Sequence, residues 1–167
     1  MPKVADVNTQ DLVITRIIDA PLEMVWKAWT EAEQVKRWWG PKDYVSPMCK
    51  LDLQVGGKFV FAMRAPVEQG GGDSYTAGVY EKIVPRQLLE FSQYLADKDG
   101  NKVDPAQVGM PADFPKEMRA VVGFKAKRDM TEITIKISGW TEGQMFVYAL
   151  AGWHQSIDKL ATVLAEI

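Results

Sequence analysis

The chain has 167 residues, of which 47% are hydrophobic and 25% are charged, and its formal net charge is −2. This length and composition predict a single globular domain over residues 1–167 with a sizeable core. The near-neutral charge argues against nucleic acid as a partner, and no apolar run is long enough for membrane insertion.

The cysteine content and the N-terminal sequence bear on the compartment. Cys49 is the only cysteine, so no disulfide can form within the chain and nothing points to an oxidising environment. The N-terminal residues hold no apolar run of signal-peptide length. We therefore expect a cytoplasmic protein.

The first part of the chain is predicted to hold one strand followed by two short helices. β-branched residues indicate the strand, and Pro21 suits the first turn of a helix. Thr30 with Glu33 matches a capping box, which predicts the start of the second helix. The expected segments are a flexible N-terminus (1–10), a strand (12–18), a helix (21–29) and a second helix (30–38).

The middle of the chain alternates apolar and polar residues and predicts an antiparallel sheet of about six or seven strands with the first one. Phe59, Phe61 and Met63 share one face of their strand. Tyr75 is taken to face the same side, although a slip of one residue would exchange the inward set. The predicted strands are 48–53, 58–64, 75–84, 88–94, 120–127 and 132–140.

One irregular segment, residues 96–117, interrupts this pattern. It contains three prolines, with Met110 and Phe114 interleaved between them. A loop this long inside a compact domain is uncommon and often functional. It is either a surface loop pinned by a few apolar contacts or a lid over a cavity, with Met110 and Phe114 as the lid residues.

The chain ends in a long predicted helix, 141–167, which Thr141 and Gln144 would open with a capping box. Its apolar surface is wide and contains a stripe of small residues, Ala149, Gly152 and Ser156. These small residues either allow close packing on the sheet or leave volume for a ligand.

Several motifs occur together in this order over nearly the whole chain. They are Ala20-Pro21 with Val25-Trp26, Trp38-Trp39-Gly40-Pro41, Gly56-Gly57-Lys58-Phe59, Gly78 to Ile83, and Gly152-Trp153 with Ser156-Ile157 and Leu160. The set resembles the SRPBCC superfamily, which has the helix-grip or START/Bet v 1-like fold. Within that superfamily, the chain most resembles the branch of proteins that are similar to the C-terminal domain of the activator of Hsp90 ATPase (AHSA1-like).

The resemblance implies an α+β helix-grip fold, in which a curved antiparallel sheet surrounds a long C-terminal helix. It also implies a hydrophobic cavity between that helix and the sheet. Members of the superfamily bind lipids, polyketides or hormones, act as cyclases or hydrolases, or serve as co-chaperones. Fold alone does not decide among these functions.

Little in the sequence indicates catalysis. His154 is the only histidine. Ser156 follows it by two residues on the same predicted helix, so the two side chains point about 200° apart around the helix axis. One histidine and one cysteine offer few ligands for zinc, and the acidic run 97–101 lacks the spacing of a calcium loop. We expect no catalytic residue, no metal and no cofactor, and we interpret the acidic run as a turn.

Three functions therefore remain open: a non-enzymatic carrier or sensor of a small hydrophobic molecule, a co-chaperone-like module with a chaperone partner, and a cyclase- or hydrolase-type enzyme. The carrier is favoured. A homodimer through an open sheet edge is a further expectation. The predicted ligand-binding residues are Phe59, Phe61, Met63, Tyr75, Phe91, Met118, Met145, Ala149, Gly152, Trp153 and Ser156. Trp26, Trp29 and Trp39 are predicted to be structural.

Overall fold

The computed structural model describes residues 9–166. The predicted flexible segment 1–10 lies outside this range except for Thr9 and Gln10, which begin the first strand. The elements are β1 (Thr9–Ile18), α1 (Leu22–Thr30), α2 (Ala32–Val35), β2 (Cys49–Leu51), β3 (Lys58–Arg64), β4 (Asp73–Val84), β5 (Leu88–Ala96), β6 (Met118–Lys127), β7 (Met130–Thr141) and α3 (Gln144–Ala165).

The seven strands form one antiparallel sheet in the order β1-β7-β6-β5-β4-β3-β2. Strand β1 therefore pairs with the last strand of the chain, while β2 pairs with β3 and forms the other edge of the sheet. The sheet is curved. Helix α3 follows β7 at the C-terminal end of the chain, and the two short helices follow β1. The predicted α+β helix-grip architecture is confirmed.

The core lies on the concave face of this sheet. Ile133, Ile135 and Ile137 alternate along β7 and are almost completely buried, as their period-two spacing predicts. On α1, the ring of Trp26 packs edge-on against Phe124 of β6, with 5.2 Å between the ring centroids. The short helices therefore cover one end of the concave face.

The second short helix begins differently from the prediction. Thr30 does not cap it, because its hydroxyl donates instead to the carbonyl oxygen of Trp26 one turn earlier, at 2.8 Å. Glu31 occupies the N-cap position of α2 without a side-chain hydrogen bond, and the helix ends at Val35 rather than near Trp38. The predicted capping box at Thr30 is wrong.

The long helix also begins later than predicted. Thr141 is the last residue of β7, and Gly143 is the N-cap of α3 without a side-chain hydrogen bond. The helix thus starts at Gln144, and the capping box proposed for Thr141 is not formed. Pairing of Thr141 with Thr9 of β1 holds it in the sheet.

A bulge near the end of β7 changes which side chains face inward. Gln10 of β1 opposes Trp140, whereas Leu12 opposes Ile137, so β7 carries one residue more than β1 over this stretch. Gly139 accommodates the bulge with φ at +106°. Trp140 therefore points into the core, where only 4% of it is exposed.

Across residues 9–166, no helix combines the length and the apolar character needed to cross a membrane.

Candidate ligand-binding cavity

A cavity of about 330 Å³ lies between α3 and the concave face of the sheet. Strands β3 to β7 supply its floor, α3 supplies its roof, and the turn after α2 and the loop before β6 supply its sides. The lining residues are Trp39, Gly40, Pro41, Tyr44, Met63, Ser74, Thr76, Gln93, Tyr94, Leu95, Met110, Phe114, Met118, Trp140, Met145, Tyr148, Ala149, Gly152, Trp153 and Ser156.

Methionine and aromatic side chains dominate the cavity wall. Four of the eight methionines line it, Met63, Met110, Met118 and Met145. Trp39 meets Trp153 edge-on with 5.4 Å between ring centroids. Methionine is flexible and polarisable, so such a wall can adapt to the shape of an apolar or aromatic molecule.

Two polar groups on this wall lack partners. Gln93 is 5% exposed, and its Oε1 has no hydrogen-bond partner within residues 9–166. Its Nε2 makes only a weak contact of 3.9 Å with the sulfur of Met118. The indole Nε1 of Trp140 likewise has no acceptor in the described part of the chain. An unsatisfied buried polar group costs about 1–3 kcal/mol, so both groups stand out on a wall that is mostly apolar.

The cavity wall carries no charged side chain among the described residues that line it. Its polar members are hydroxyls, an amide and indole N–H groups. Burying an ionised group without a partner is strongly unfavourable, so this wall favours neutral molecules.

The predicted residues Phe59, Phe61 and Phe91 face the concave side but do not line the cavity. Phe59 packs against Phe61 at 4.8 Å and against Phe91 at 5.3 Å between ring centroids, and all three are buried. Burial raises the pKa of Tyr80, which lies 5.3 Å from Phe59 in the same cluster. This aromatic cluster fills the end of the sheet beside the cavity.

Tyr75 was placed on the wrong face of its strand. It pairs with Ala62 of β3 and Ala96 of β5, so it shares their side of the sheet. The neighbouring residues Ser74 and Thr76 line the cavity in its place. The strand carries apolar residues on both faces, so alternation alone did not identify the inner one.

The other predicted residues are brought together at the cavity. They are Met63, Met118, Met145, Ala149, Gly152, Trp153 and Ser156, joined by Met110 and Phe114 of the predicted lid. Gly152 also packs closely, because a Cβ atom there would lie 3.3 Å from Cγ of Pro41. Gly152 thus packs against the turn after α2 rather than against the sheet and also lines the cavity, and its role in ligand binding stays a prediction.

Sequence reasoning missed several lining residues. Gln93 continues the alternation of Leu89 and Phe91, and a polar residue at an inward position is a signal that could have identified it. Gly139 could have indicated the bulge that turns Trp140 inward. The sequence predicts only a structural role for Trp39, whereas its ring both packs on Phe61 at 4.8 Å between ring centroids and lines the cavity.

The loop between β5 and β6 is held by hydrogen bonds within the loop itself. Asp97 closes a turn by accepting hydrogen bonds from the backbone of Asp99 and Asn101, both at 2.9 Å. The bond from the Asn101 backbone is the largest cause of the lowered pKa of Asp97. Asp104 and Gln107 then form a capping box around a 3-10 turn, Pro105–Val108.

The rest of this loop returns across the cavity. Met110 and Phe114 are on its wall, and Phe114 meets Trp140 edge-on with 5.4 Å between ring centroids. The loop thus covers one side of the cavity, as a lid would, but movement of this segment stays a prediction.

The C-terminal half of α3 is firmly attached, whereas its N-terminal half roofs the cavity. Every buried residue of α3 lies between Ser156 and Leu164. Lys159 donates to the carbonyl oxygens of Gly40, Pro41 and Tyr44 at 2.9–3.3 Å, and burial lowers its pKa. Residues 144–155 therefore border the cavity on a helix that is anchored from its other end.

The histidine, serine and cysteine side chains that could take part in catalysis lie apart. His154 is exposed on α3, while Ser156 is 6% exposed and faces the cavity. Burial raises the pKa of the Cys49 thiol to about 12, and Cys49 does not line the cavity. Within residues 9–166, no three acidic, histidine or cysteine side chains are grouped as a metal site would require.

The family model described as activator of Hsp90 ATPase homolog 1-like protein matches residues 19–165. The chain belongs to this AHSA1-like family. The match spans both short helices, six of the seven strands and all of α3, so it includes the whole cavity. Among curated protein sequences, none matches the chain.

Solved structures of bacterial proteins share this family fold. A solution structure from Arthrobacter aurescens is 25% identical with a TM-score of 0.76, covering 99% of this chain and 94% of that one. A crystal structure from Nitrosomonas europaea is 24% identical with a TM-score of 0.73, covering 93% and 94%. An AHSA1-like protein from Aeromonas hydrophila is 20% identical with a TM-score of 0.70, covering 94% and 93%.

Proposed function

We propose that this AHSA1-like protein binds a small, mostly apolar molecule in the cavity under α3, as a carrier or sensor and without catalysing a reaction. The observation that carries the proposal is the cavity itself, about 330 Å³ in volume and walled by four methionines and several aromatic rings. Ligand sites are typically concave and mostly apolar, with few polar groups that fix orientation.

The size of the cavity favours a compact ligand. Small-molecule sites usually have volumes of about 300–1,000 Å³, and this one lies at the lower end of that range. A molecule with a single ring or with two fused rings suits this volume better than a lipid with long chains. The ring edges of Trp39, Trp140 and Trp153 and the methionine sulfurs offer favourable contacts to such rings.

A matched pair of alanines on α3 tests this proposal. Ala149 lines the cavity, whereas Ala151 is exposed two residues further along the same helix. Ala149→Leu should fill the cavity and abolish binding of 2-methylnaphthalene, a neutral probe without hydrogen-bonding groups, in isothermal titration calorimetry. Ala151→Leu should bind like the wild type.

Thermal denaturation of both variants checks that each folds. Leucine is a good helix former, and at Ala149 it fills empty volume, so neither variant should lose stability. Binding of 2-methylnaphthalene that survives in a folded Ala149→Leu variant would refute the proposed function.

Three further expectations from the sequence stay predictions. A chaperone partner is suggested by the family name, and a homodimer by β1 and β2, which are the two edge strands of the sheet in the described part of the chain. Val13 and Ile17 of β1 are about half exposed, at 54% and 49%, which is the feature that favours contact at that edge. A cytoplasmic location is the third. Size-exclusion chromatography with light scattering would decide the dimer.

A further inference from the structure

A buried amide lies on the wall of the mostly apolar cavity, and its oxygen has no hydrogen-bond partner in the described part of the chain. Gln93 is 5% exposed, and its Oε1 has no partner within residues 9–166. The contact of its Nε2 with the Met118 sulfur, at 3.9 Å, is weak compared with a bond to oxygen. Rotation of the amide can therefore present either a donor or an acceptor to a bound molecule at little cost.

The position of Gln93 in the sheet is fixed on both sides. It pairs with Gly78 of β4 and with Met118 of β6, so it belongs to a row that crosses the concave face. Gly78 has no side chain that could cover Gln93, and the ring of Phe59 occupies the space above Gly78. The amide is thus held in the middle of the sheet, with hydrophobic neighbours and no polar side chain beside it in its row.

The remainder of the wall restricts the charge of the ligand. The described residues that line the cavity include no Asp, Glu, Lys, Arg or His. An ionised carboxylate or amine would lose its hydration there without gaining an opposite charge. A neutral polar group that both donates and accepts a hydrogen bond matches the amide without this cost.

We propose that the ligand is a neutral ring compound bearing a hydroxyl group, and that Gln93 is the residue that binds this hydroxyl. This inference rests on the proposed function, because it assigns a ligand class to the same cavity. The hydroxyl donates to Oε1 of Gln93 or accepts from Nε2, and the ring lies against the methionine and tryptophan side chains.

Three probes with the same ring system separate the possible polar groups. They are 2-naphthol, which is neutral with a hydroxyl, 2-methylnaphthalene, which has a methyl group in its place, and 2-naphthoate, which is anionic at pH 7. Isothermal titration calorimetry on the wild-type protein should show 2-naphthol binding about tenfold or more tightly than 2-methylnaphthalene. It should bind 2-naphthoate most weakly.

The variant Gln93→Leu should abolish the preference for the hydroxyl. It removes the amide and keeps a side chain of similar size, so 2-methylnaphthalene should bind at least as tightly as 2-naphthol. Gln144→Leu makes the same chemical change at an exposed position on α3 and should keep the wild-type preference. Thermal denaturation shows that both variants fold, and loss of a buried, half-satisfied amide should not lower the stability of Gln93→Leu.

The outcomes distinguish this inference from the proposed function. Equal wild-type affinity for 2-naphthol and 2-methylnaphthalene would overturn the hydroxyl assignment while the cavity still binds ligand. Tightest binding of 2-naphthoate would overturn the neutral class. A hydroxyl preference that persists in Gln93→Leu would move the anchor to another residue and overturn the role of Gln93. No binding of any probe would overturn both proposals.

Discussion

Two buried tryptophans differ in whether the ring nitrogen has a partner. Nε1 of Trp38 donates to the carbonyl oxygen of Ala28 at 2.9 Å. Nε1 of Trp140 has no acceptor within the described chain. Both rings are almost completely buried, at 1% and 4% exposure, so their hydrophobic contributions are comparable. The difference between them is thus mainly one hydrogen bond.

Replacing each of these tryptophans with phenylalanine should reveal that difference. Trp38→Phe leaves the Ala28 carbonyl without its donor, whereas Trp140→Phe removes a donor that has no partner. We expect Trp38→Phe to lower the free energy of unfolding by about 1–3 kcal/mol more than Trp140→Phe. Urea denaturation of the two variants measures this, and an equal or larger loss for Trp140→Phe would contradict it.

The reactivity of the Cys49 thiol tests whether this group is buried. Burial is the largest cause that raises the pKa of its thiol from 9.0 to about 12. Only the thiolate reacts with iodoacetamide, and a difference of three pKa units lowers its fraction about a thousandfold. At pH 8 the native protein should therefore be alkylated about a thousand times more slowly than the protein in urea. Rates within tenfold of each other would mean that the thiol is not shielded as described.

The residues that line the cavity were only partly predictable from the sequence. The stripe of small residues on α3 identified Ala149, Gly152 and Ser156 because helical periodicity is a local property. Tyr75 was misplaced because β4 has apolar residues on both faces, so its inner face depends on pairing with β3. Trp140 was missed because one bulge reverses the parity of β7 beyond Ile137.

The close fit of β4 between its neighbouring strands β3 and β5 depends on one glycine, Gly78. A Cβ atom at Gly78 would contact the carbonyl oxygen of Ser92 and lie 2.6 Å from Cζ of Phe59. Gly123 of β6 is the opposite case, because the nearest atom to its Cβ would be the Thr134 carbonyl oxygen at 3.9 Å. Only the first position needs the absence of a side chain.

Alanine at these two glycines should have opposite effects. Gly78→Ala forces the ring of Phe59 and the backbone of β5 to move, which should lower the free energy of unfolding by at least about 2 kcal/mol. Gly123→Ala should be neutral or stabilise the sheet by about 0.5–1 kcal/mol, because alanine loses less backbone entropy in a strand. Urea denaturation compares them, and a harmless Gly78→Ala would refute the close packing of Phe59 on β4.

The ends of the elements were less predictable than the elements themselves. Helix α2 and helix α3 both follow Thr residues with Glu or Gln three places later, yet neither Thr caps its helix. Thr141 is held in β7 by its pairing with Thr9, and Thr30 bonds within α1. In contrast, Asp104 and Gln107 do form the capping box that their spacing allows. A contact distant in sequence decided the case of Thr141, whereas hydrogen bonds within the local segment decided those of Thr30 and Asp104.

For the molecule as a whole, the fold follows from local patterns, but the place of the cavity does not. Alternation in the strands and the wide apolar surface of α3 predict an antiparallel sheet and a terminal helix that packs on it, and the family resemblance implies that the sheet curves around this helix. The cavity exists only where the cluster of Phe59, Phe61 and Phe91 stops filling the concave face. That boundary depends on how rings from β3 and β5 pack against one another across the sheet, which no local pattern reports.

The methionines provide the most direct test of ligand binding in this cavity. Met63, Met110, Met118 and Met145 line it, whereas Met24, Met48 and Met130 lie elsewhere in the structure. Methyl NMR of protein labelled at the methionine methyl groups, titrated with 2-naphthol, reports each position separately. We predict saturable shifts for the four cavity methionines and none for the other three. Shifts at Met24, Met48 or Met130 without shifts in the cavity, or no shifts at all, would contradict the account.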